Sequence, residues 1–265
     1  MTTLLAAVVC AALMLRVTSL GFDEAAVVIK EHLSMRKHAS ADDYCSDNPS
    51  LCCELSSSQD GCSVSNMPQD VSTLVFPGGE TRCIFSTSSK FNFQVIPGKS
   101  DKLLFYFQGG GACWDKLSTA LTFCTTDADP DFSGAGIFSR DESNEYKDYT
   151  IVHALYCDGS VWTGDTVRPY KDSNGEFVTQ KGLANAQSVL DWVKSQQSVG
   201  SLAATFSSLV IMGCSAGSIG AQVWSSPILE TLSWTEAAVI PDSYIAVFPD
   251  GTQGPSLTRI HLHLN

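Results

Sequence analysis

A serine flanked by small residues, at the junction of an apolar run and a helix-like segment, constrains this chain most strongly. Gly213-Cys214-Ser215-Ala216-Gly217 matches the pattern G-x-S-x-G. It follows an apolar run at residues 208–212 and precedes a helical pattern at residues 218–231. That setting is typical of a nucleophile elbow, the sharp strand-to-helix turn that exposes a serine hydroxyl. The pattern also recurs by chance as a glycine-rich turn without a role, and the flanking elements favour the elbow.

Strand-like runs alternate with helical patterns along most of the chain, which predicts an α/β fold. A mostly parallel sheet flanked by helices follows, because right-handed crossovers join such strands. The polar stretch at residues 113–148 is too long for an ordinary loop and is expected to be functional or to contain short helices. The predicted strands are residues 82–85, 91–96, 102–107, 149–156, 208–212 and 237–240, and the predicted helices are residues 182–197 and 218–231.

A glycine run, Gly109-Gly110-Gly111, directly follows the predicted strand at residues 102–107. Such a run can bind phosphate, but the G-x-G-x-x-G spacing fails here and no Gly-Lys-Ser/Thr follows. The better interpretation is an oxyanion loop, whose backbone N–H groups join that of Ala216 around a developing negative charge.

A third segment, YCDGSVWTGD at residues 156–165, follows the predicted strand at residues 149–156. Strand ends on one edge of a parallel sheet converge, so this segment is expected near the other two. Asp158 and Asp165 are candidates for catalysis, substrate binding or loop capping, and their spacing alone favours capping.

The start of the chain predicts secretion. An apolar run at residues 4–15 is too short to span a bilayer and is followed by small residues, which indicates a signal peptide at residues 1–19. An uncleaved anchor or a buried helix is the alternative. Ten cysteines are present and nine would remain after cleavage, so a disulfide-linked extracellular chain with one cysteine left over is expected. Residues 20–73 are expected to be a disulfide-rich extension and residues 74–265 the catalytic domain.

The net charge of −12 argues against some partners. Nucleic acids and anionic lipid surfaces both require a basic footprint, and none is visible in the sequence. No later run is long and apolar enough to span a membrane, and no cysteine pair has zinc-site spacing, so neither a membrane span nor a metal is expected. The sequence does not predict the oligomeric state.

Several segments in a fixed order carry a family resemblance: FYFQGGGACW, FSGAGIFSR, YCDGSVWTGD, GCSAGS and PDSYIAVFP. Together they resemble the pectin acetylesterase/Notum family of carboxylesterases, from about Leu74 to Phe248. The resemblance implies an α/β-hydrolase fold and serine-mediated ester hydrolysis without a cofactor. Family members remove acetyl groups from pectin or a fatty acyl group from a signalling protein.

Site residues follow from the same resemblance. It implies Ser215 as the nucleophile and a disulfide between Cys113 and Cys124. Ala112 stands where the family often has a tryptophan, while Trp114 follows the cysteine, so the wall of the acyl pocket differs from the family pattern. The oxyanion donors are expected to be the N–H groups of Gly111, Ala112 and Ala216. The residues expected to bind substrate are Gly110, Trp114, Asp158, Trp162 and Asp165.

A serine esterase of this fold also needs an acid and a histidine downstream of the serine. Asp242 is the candidate acid, and His261 or His263 is the candidate base. In the resembling family both residues lie after further strands that are not found here. The catalytic domain is therefore expected to be C-terminally incomplete after about Pro249.

These observations predict a secreted serine carboxylesterase that removes acyl groups, acetyl above all, from a polysaccharide such as pectin. One alternative is a Notum-like deacylase of a lipid or protein, which would need a large apolar pocket. The other is a catalytically inactive binding module with a hydrolase fold. This alternative is favoured by the expected absence of the region that carries the catalytic histidine. The predicted partner is an ester substrate, an acylated carbohydrate in the first case.

Overall fold

The structure is a computed structural model that describes residues 40–55 and 62–243. The predicted signal peptide at residues 1–19 lies outside the described residues, as do His261 and His263. None of the helices that the structure describes is long and apolar enough to cross a membrane.

A seven-stranded mixed sheet lies at the centre, in the order β1-β2-β3-β5-β4-β8-β9. Its four consecutive strands β5, β4, β8 and β9 are parallel, whereas β3 runs antiparallel to both β2 and β5. Strands β6 and β7 form a separate antiparallel hairpin. The strands are β1 (Cys52–Glu54), β2 (Thr73–Phe76), β3 (Phe93–Ile96), β4 (Lys99–Phe107), β5 (Tyr149–Ala154), β6 (Thr166–Lys171), β7 (Phe177–Gln180), β8 (Phe206–Cys214) and β9 (Trp234–Asp242).

The helices and the long polar stretch cover opposite faces of this sheet. Side chains alternate along a strand, so Phe105 and Phe107 of β4 join the core beneath the two long helices. Leu104 instead packs with Ile151 and Phe138 on the face covered by the stretch before β5. The helices are α1 (Ala41–Asp47), α2 (Lys116–Ala120), α3 (Gly182–Ser198) and α4 (Ala216–Thr231).

The predicted α/β architecture, with a largely parallel sheet flanked by helices, is confirmed. The strand predicted at residues 82–85 is wrong, since this segment is irregular. Its Ile84 bonds through N–H to Cys157 and through its carbonyl to Thr179, so it bridges two elements instead of extending one. The described part of the expected disulfide-rich extension at residues 20–73 contains α1, β1 and the start of β2.

Four disulfides cross-link the described residues: Cys45–Cys52, Cys53–Cys62, Cys83–Cys157 and Cys113–Cys124. The last is the pairing that the family resemblance implied. Cys214, beside the candidate nucleophile, is outside these four bridges. Four disulfides fit an extracellular chain, because reducing compartments keep thiols reduced.

Candidate active site

The carboxyl ends of four parallel strands meet at one edge of the sheet. Phe107, the last residue of β4, pairs with Ala154 of β5 on one side and Gly213 of β8 on the other. Cys214 of β8 pairs with Asp242, the last residue of β9. The glycine run, the serine motif and the segment at residues 156–165 therefore all leave the sheet at this edge, where open α/β sheets bind ligands.

Ser215 adopts the backbone conformation of a nucleophile elbow, with φ 58° and ψ −122°. A non-glycine residue in this region stores about 1–3 kcal/mol of strain and needs support from its surroundings. Its N–H donates to the carbonyl of Asp242 at 3.1 Å, and its own carbonyl accepts from the N–H of Ser218 at 2.9 Å. The Ser218 hydroxyl donates to the same carbonyl at 2.6 Å. The turn is thus fixed from β9 and from the first turn of α4.

Two glycines of the motif allow this turn to pack closely. A Cβ on Gly213 would lie 2.1 Å from the carbonyl oxygen of Gly217, and a Cβ on Gly217 would lie 2.1 Å from the carbonyl oxygen of Phe107. Neither distance is sterically possible, so α4 can begin against the end of β4 only if both residues lack a side chain.

The glycine run, Gly109–Gly111, is here called the glycine loop, and it lies directly against the elbow. A Cβ on Gly109 would lie 2.3 Å from the carbonyl oxygen of Cys214 and 3.3 Å from the Cβ of Ser215. On the far side, a Cβ on Gly110 would clash with Thr125 and the ring of Tyr156. The loop therefore fits between the elbow and these two residues only as glycine.

Sequence reasoning missed Thr125 as a neighbour of this loop, whereas Tyr156 begins the segment at residues 156–165 that was expected near it. A signal for Thr125 was present, because the disulfide implied between Cys113 and Cys124 brings the next residue back to the loop. The N–H of Thr125 indeed donates to the carbonyl of Gly110 at 2.7 Å.

The three predicted oxyanion donors differ in their availability. Within the described part of the chain, the N–H groups of Gly111 and Ala216 have no hydrogen-bond acceptor. Ala216 is the first residue of α4, so its N–H also lies at the positive end of the helix dipole. The Ala112 N–H instead donates to the carbonyl of Phe123 at 3.1 Å. The chain folds back there, since Gly111 and Cys124 form an antiparallel bridge.

The residues predicted to bind substrate separate into buried and exposed ones. Asp158 and Trp162 are both 0% exposed, so neither side chain is accessible to a substrate in this structure. Trp114 is 54% exposed and lies near Phe123, with 6.1 Å between the ring centroids. Asp165 is also exposed and accepts from Lys181 at 2.7 Å. Of these four, Trp114 and Asp165 can reach an incoming molecule.

Asp158 is an unusual buried carboxyl group in the segment after β5, next to Ser160 and Gly182. Burial raises its pKa to about 6, although the hydroxyl and N–H of Ser160 stabilise the charged form. Its Oδ2 accepts a hydrogen bond from the Ser160 hydroxyl, while Oδ1 has no hydrogen-bond partner among the residues that the structure describes. The neighbouring Tyr156 is buried too, which raises the pKa of its phenol well above 10. The segment after β5 therefore adds buried polar groups next to the site.

Asp242 and one histidine can be placed among the described residues. The Asp242 carboxylate accepts from the Ser243 hydroxyl at 3.1 Å, beside the elbow that its backbone supports. His153 is buried on β5, and its Nδ1 lies 2.9 Å from Oε1 of Gln94, so it belongs to the core. His261 and His263, the predicted bases, lie outside the described residues.

Residues 40–55 and 62–243 contain no group of three or more His, Cys, Asp or Glu side chains placed to hold a metal ion. Two surface clefts, of about 370 and 380 Å³, lie beside β1 and α3, and neither is lined by Ser215 or the glycine loop.

Comparison with known proteins identifies the family. The pectinacetylesterase family profile matches residues 78–252, which is more than half of the chain. The chain belongs to the pectinacetylesterase family. The matched range includes the glycine loop, the elbow and Asp242, so every element of the site described above lies within the pectinacetylesterase match.

Solved structures of another protein are similar to this pectinacetylesterase-family chain. Two crystal forms of the Wnt deacylase Notum from Drosophila align with 18% sequence identity, with TM-scores of 0.47 and 0.44. They cover 69% and 68% of this chain. The chain spans 60% and 58% of the length of those two structures. No curated protein matches it.

Proposed function

We propose that this chain is a secreted serine carboxylesterase that removes acetyl groups from a polysaccharide such as pectin. One observation carries the proposal: Ser215 is held in the strained elbow conformation directly against the glycine loop. Membership of the pectinacetylesterase family supports ester hydrolysis, and the four disulfides support secretion.

The proposed reaction has two stages. The Ser215 hydroxyl attacks the acyl carbonyl carbon and gives its proton to a general base, while the carbonyl oxygen becomes an oxyanion. The N–H groups of Gly111 and Ala216 stabilise that oxyanion, and each such donor is worth about 3–4 kcal/mol of barrier. The C–O bond then breaks, the sugar oxygen takes the proton and leaves, and water hydrolyses the acyl-serine to acetate and free Ser215.

The general base is proposed to lie outside the described residues, where His261 and His263 are the candidates that this sequence offers. His153 is the one histidine within the described ranges, and its core position on β5 removes it from consideration. Asp242 is proposed as the acid that orients the base, because it ends β9 next to the elbow.

Two observations favour an acetyl group over a fatty acyl group. Neither of the two surface clefts described above is lined by the glycine loop or by Ser215. A long acyl chain needs an apolar cavity for most of its length, whereas an acetyl group needs space for one methyl. Trp114, three residues after this loop, is a large apolar side chain exposed to solvent.

The experiment compares release of acetate from acetylated pectin by the wild-type chain and by Ser215→Ala, with p-nitrophenyl esters of two and sixteen carbons as parallel substrates. We expect acetate release and cleavage of the short ester by the wild-type chain alone. Preferential cleavage of the long ester would favour a lipid or protein deacylase. A folded wild-type chain that cleaves none of them would contradict the proposal and favour a binding module.

A further inference from the structure

Gln108 directly precedes the glycine loop, and all of its polar groups are hydrogen-bonded. Its backbone N–H donates to the carbonyl of Ala154 at 3.0 Å. Its side-chain Oε1 accepts from the N–H of Tyr156 at 2.9 Å, and Nε2 donates to the carbonyl of Asp129 at 2.9 Å. Its carbonyl accepts from the indole Nε1 of Trp162 at 3.1 Å. One residue thus ties the end of β4 to three separate segments.

Trp162 is itself held firmly. Its ring is fully buried against Phe107 and Tyr156, with ring centroids 5.2 and 5.4 Å away. Its carbonyl accepts from Nε1 of Trp224 on α4 at 2.9 Å. Val161 and Trp162 both have positive φ, 52° and 70°, a strained arrangement that surrounding contacts must impose. The hydrogen bond from the Trp162 indole to the Gln108 carbonyl is here called the clamp. Through Trp224, the clamp is connected to α4, the helix that begins at the elbow.

The orientation of the Gln108 carbonyl affects the position of the glycine loop. A peptide unit is planar, so the hydrogen bond that fixes the Gln108 carbonyl also fixes the N–H of Gly109 and the direction in which the loop leaves β4. Glycine residues have unusually large conformational freedom about φ and ψ. Gly109 to Gly111 therefore need a fixed residue before them, such as the hydrogen-bonded Gln108. Oxyanion donors act only when they lie within about 3 Å of the developing charge.

We propose that Gln108, clamped by Trp162, is a positioning residue that holds the N–H groups of the glycine loop at Ser215. The inference rests on the proposed esterase function for its kinetic consequence. Its structural consequence, a loop that loosens when the clamp is removed, is independent of activity and is measured separately.

The first test is Trp162→Phe, which keeps an aromatic ring and removes the N–H donor. Trp192→Phe is the matched control, because Trp192 is also buried and its Nε1 donates to the carbonyl of Cys62 at 3.2 Å, away from the loop. Backbone hydrogen exchange of the peptide spanning residues 108–112 is expected to rise about tenfold in Trp162→Phe alone. The kcat for ester hydrolysis is expected to fall about tenfold with KM within about twofold.

The second test uses a different variant, so that the inference can still be tested if Trp162→Phe fails to fold. Gln108→Met keeps the side-chain length and removes the bonds to Tyr156 and Asp129. Gln197→Met is its control, since Gln197 is buried on α3 and its Nε2 donates to the carbonyl of Ala203 at 3.2 Å. Loop exchange is expected to rise in Gln108→Met and to stay unchanged in Gln197→Met.

Unchanged loop exchange in the folded Trp162 and Gln108 variants, or an equal rise in the two controls, would overturn the inference. Reduced binding instead of reduced turnover, seen as a raised KM with unchanged kcat, would also overturn it. Ester hydrolysis by the unsubstituted chain tests the proposed function on its own, so a failure of that function is distinguished from a failure of the clamp.

Discussion

The backbone N–H of Ser215 donates a 3.1 Å hydrogen bond to the carbonyl oxygen of Asp242. This bond joins the elbow to the end of β9, one strand further along the sheet. A turn with φ 58° at serine is not stable by itself, so the neighbouring strand supplies part of its support. Asp242 therefore supports the elbow through its backbone carbonyl, and this support does not depend on its carboxylate.

The strain at Ser215 predicts an unusual order of stabilities among its variants. Glycine accepts a positive φ without strain, whereas alanine keeps the penalty. We expect Ser215→Gly to be more stable than Ser215→Ala by about 1 kcal/mol, although glycine normally destabilises ordered structure. Urea unfolding of both variants measures the difference, and an alanine variant as stable as the glycine variant would show that the elbow is unstrained.

The contact between the glycine loop and the elbow predicts a severe effect of Gly109→Ala. The added Cβ would lie 2.3 Å from the carbonyl oxygen of Cys214, so backbone must move. We expect the free energy of unfolding to fall by about 2 kcal/mol or more, with loss of ester hydrolysis. In the control, Gly78→Ala, the Cβ meets no atom within 4 Å and suffers only from φ 67°, so about 1 kcal/mol is expected. Equal losses in the two variants would contradict the loop placement.

The buried carboxyl of Asp158 predicts a pH dependence of stability. Burial raises its pKa from 3.8 to about 6, so the folded state holds this proton more tightly than the unfolded state. Stability from this group is therefore full below about pH 4 and is lost as pH rises through about 6, by about 3 kcal/mol in total. The free energy of unfolding of wild type minus that of Asp158→Asn is expected to decrease across this window.

Asp172 provides a control of opposite sign for that measurement. Hydrogen bonds from Ser86 lower its pKa to about 2, so its contribution is present above pH 4 and is lost as pH falls toward 2. Asp172→Asn should remove that low-pH loss and leave the window from pH 4 to 6 unchanged. A pH profile of Asp158→Asn identical to wild type between pH 4 and 6 would contradict the burial of a titrating carboxyl.

The Cys113–Cys124 disulfide is predicted to matter for activity as well as stability. It closes the loop that brings Phe123 and Thr125 back to the glycine loop. Replacing both cysteines by serine should cost about 3 kcal/mol and lower kcat. The control is the double serine variant of Cys45 and Cys52, which opens a similarly short loop. This loop adjoins β1, which is separated by three strands from β4 and the glycine loop, so the variant should lose stability with unchanged kcat. Equal kcat values in the two double variants would contradict this role.

The central features of the fold and site follow from local sequence signals. The elbow could be predicted because its glycines are required at fixed spacing by contacts below 3 Å, such as Gly217 on Phe107. The sheet strands next to it are apolar runs of the kind that parallel sheets bury. Residues such as Phe105 and Ile211 are completely buried for this reason.

Other features depend on contacts that sequence patterns do not encode. The apolar run at Ile84 is buried like a strand but is fixed by bonds to Cys157 and Thr179, far away in the chain. Trp162 was predicted to bind substrate, yet it is enclosed in the core, because an aromatic residue in a loop gives no signal of its burial. The use of the Ala112 N–H by Phe123 depends on a chain reversal at a disulfide.

The central claim is that Ser215 is the nucleophile of this site, and covalent labelling tests it most directly. The wild-type chain and Ser215→Ala are treated with a fluorophosphonate, and the adduct is located by peptide mass spectrometry. We expect one adduct, on Ser215, and none in the alanine variant. A folded wild-type chain that carries no adduct, or carries it on another residue, would contradict the account.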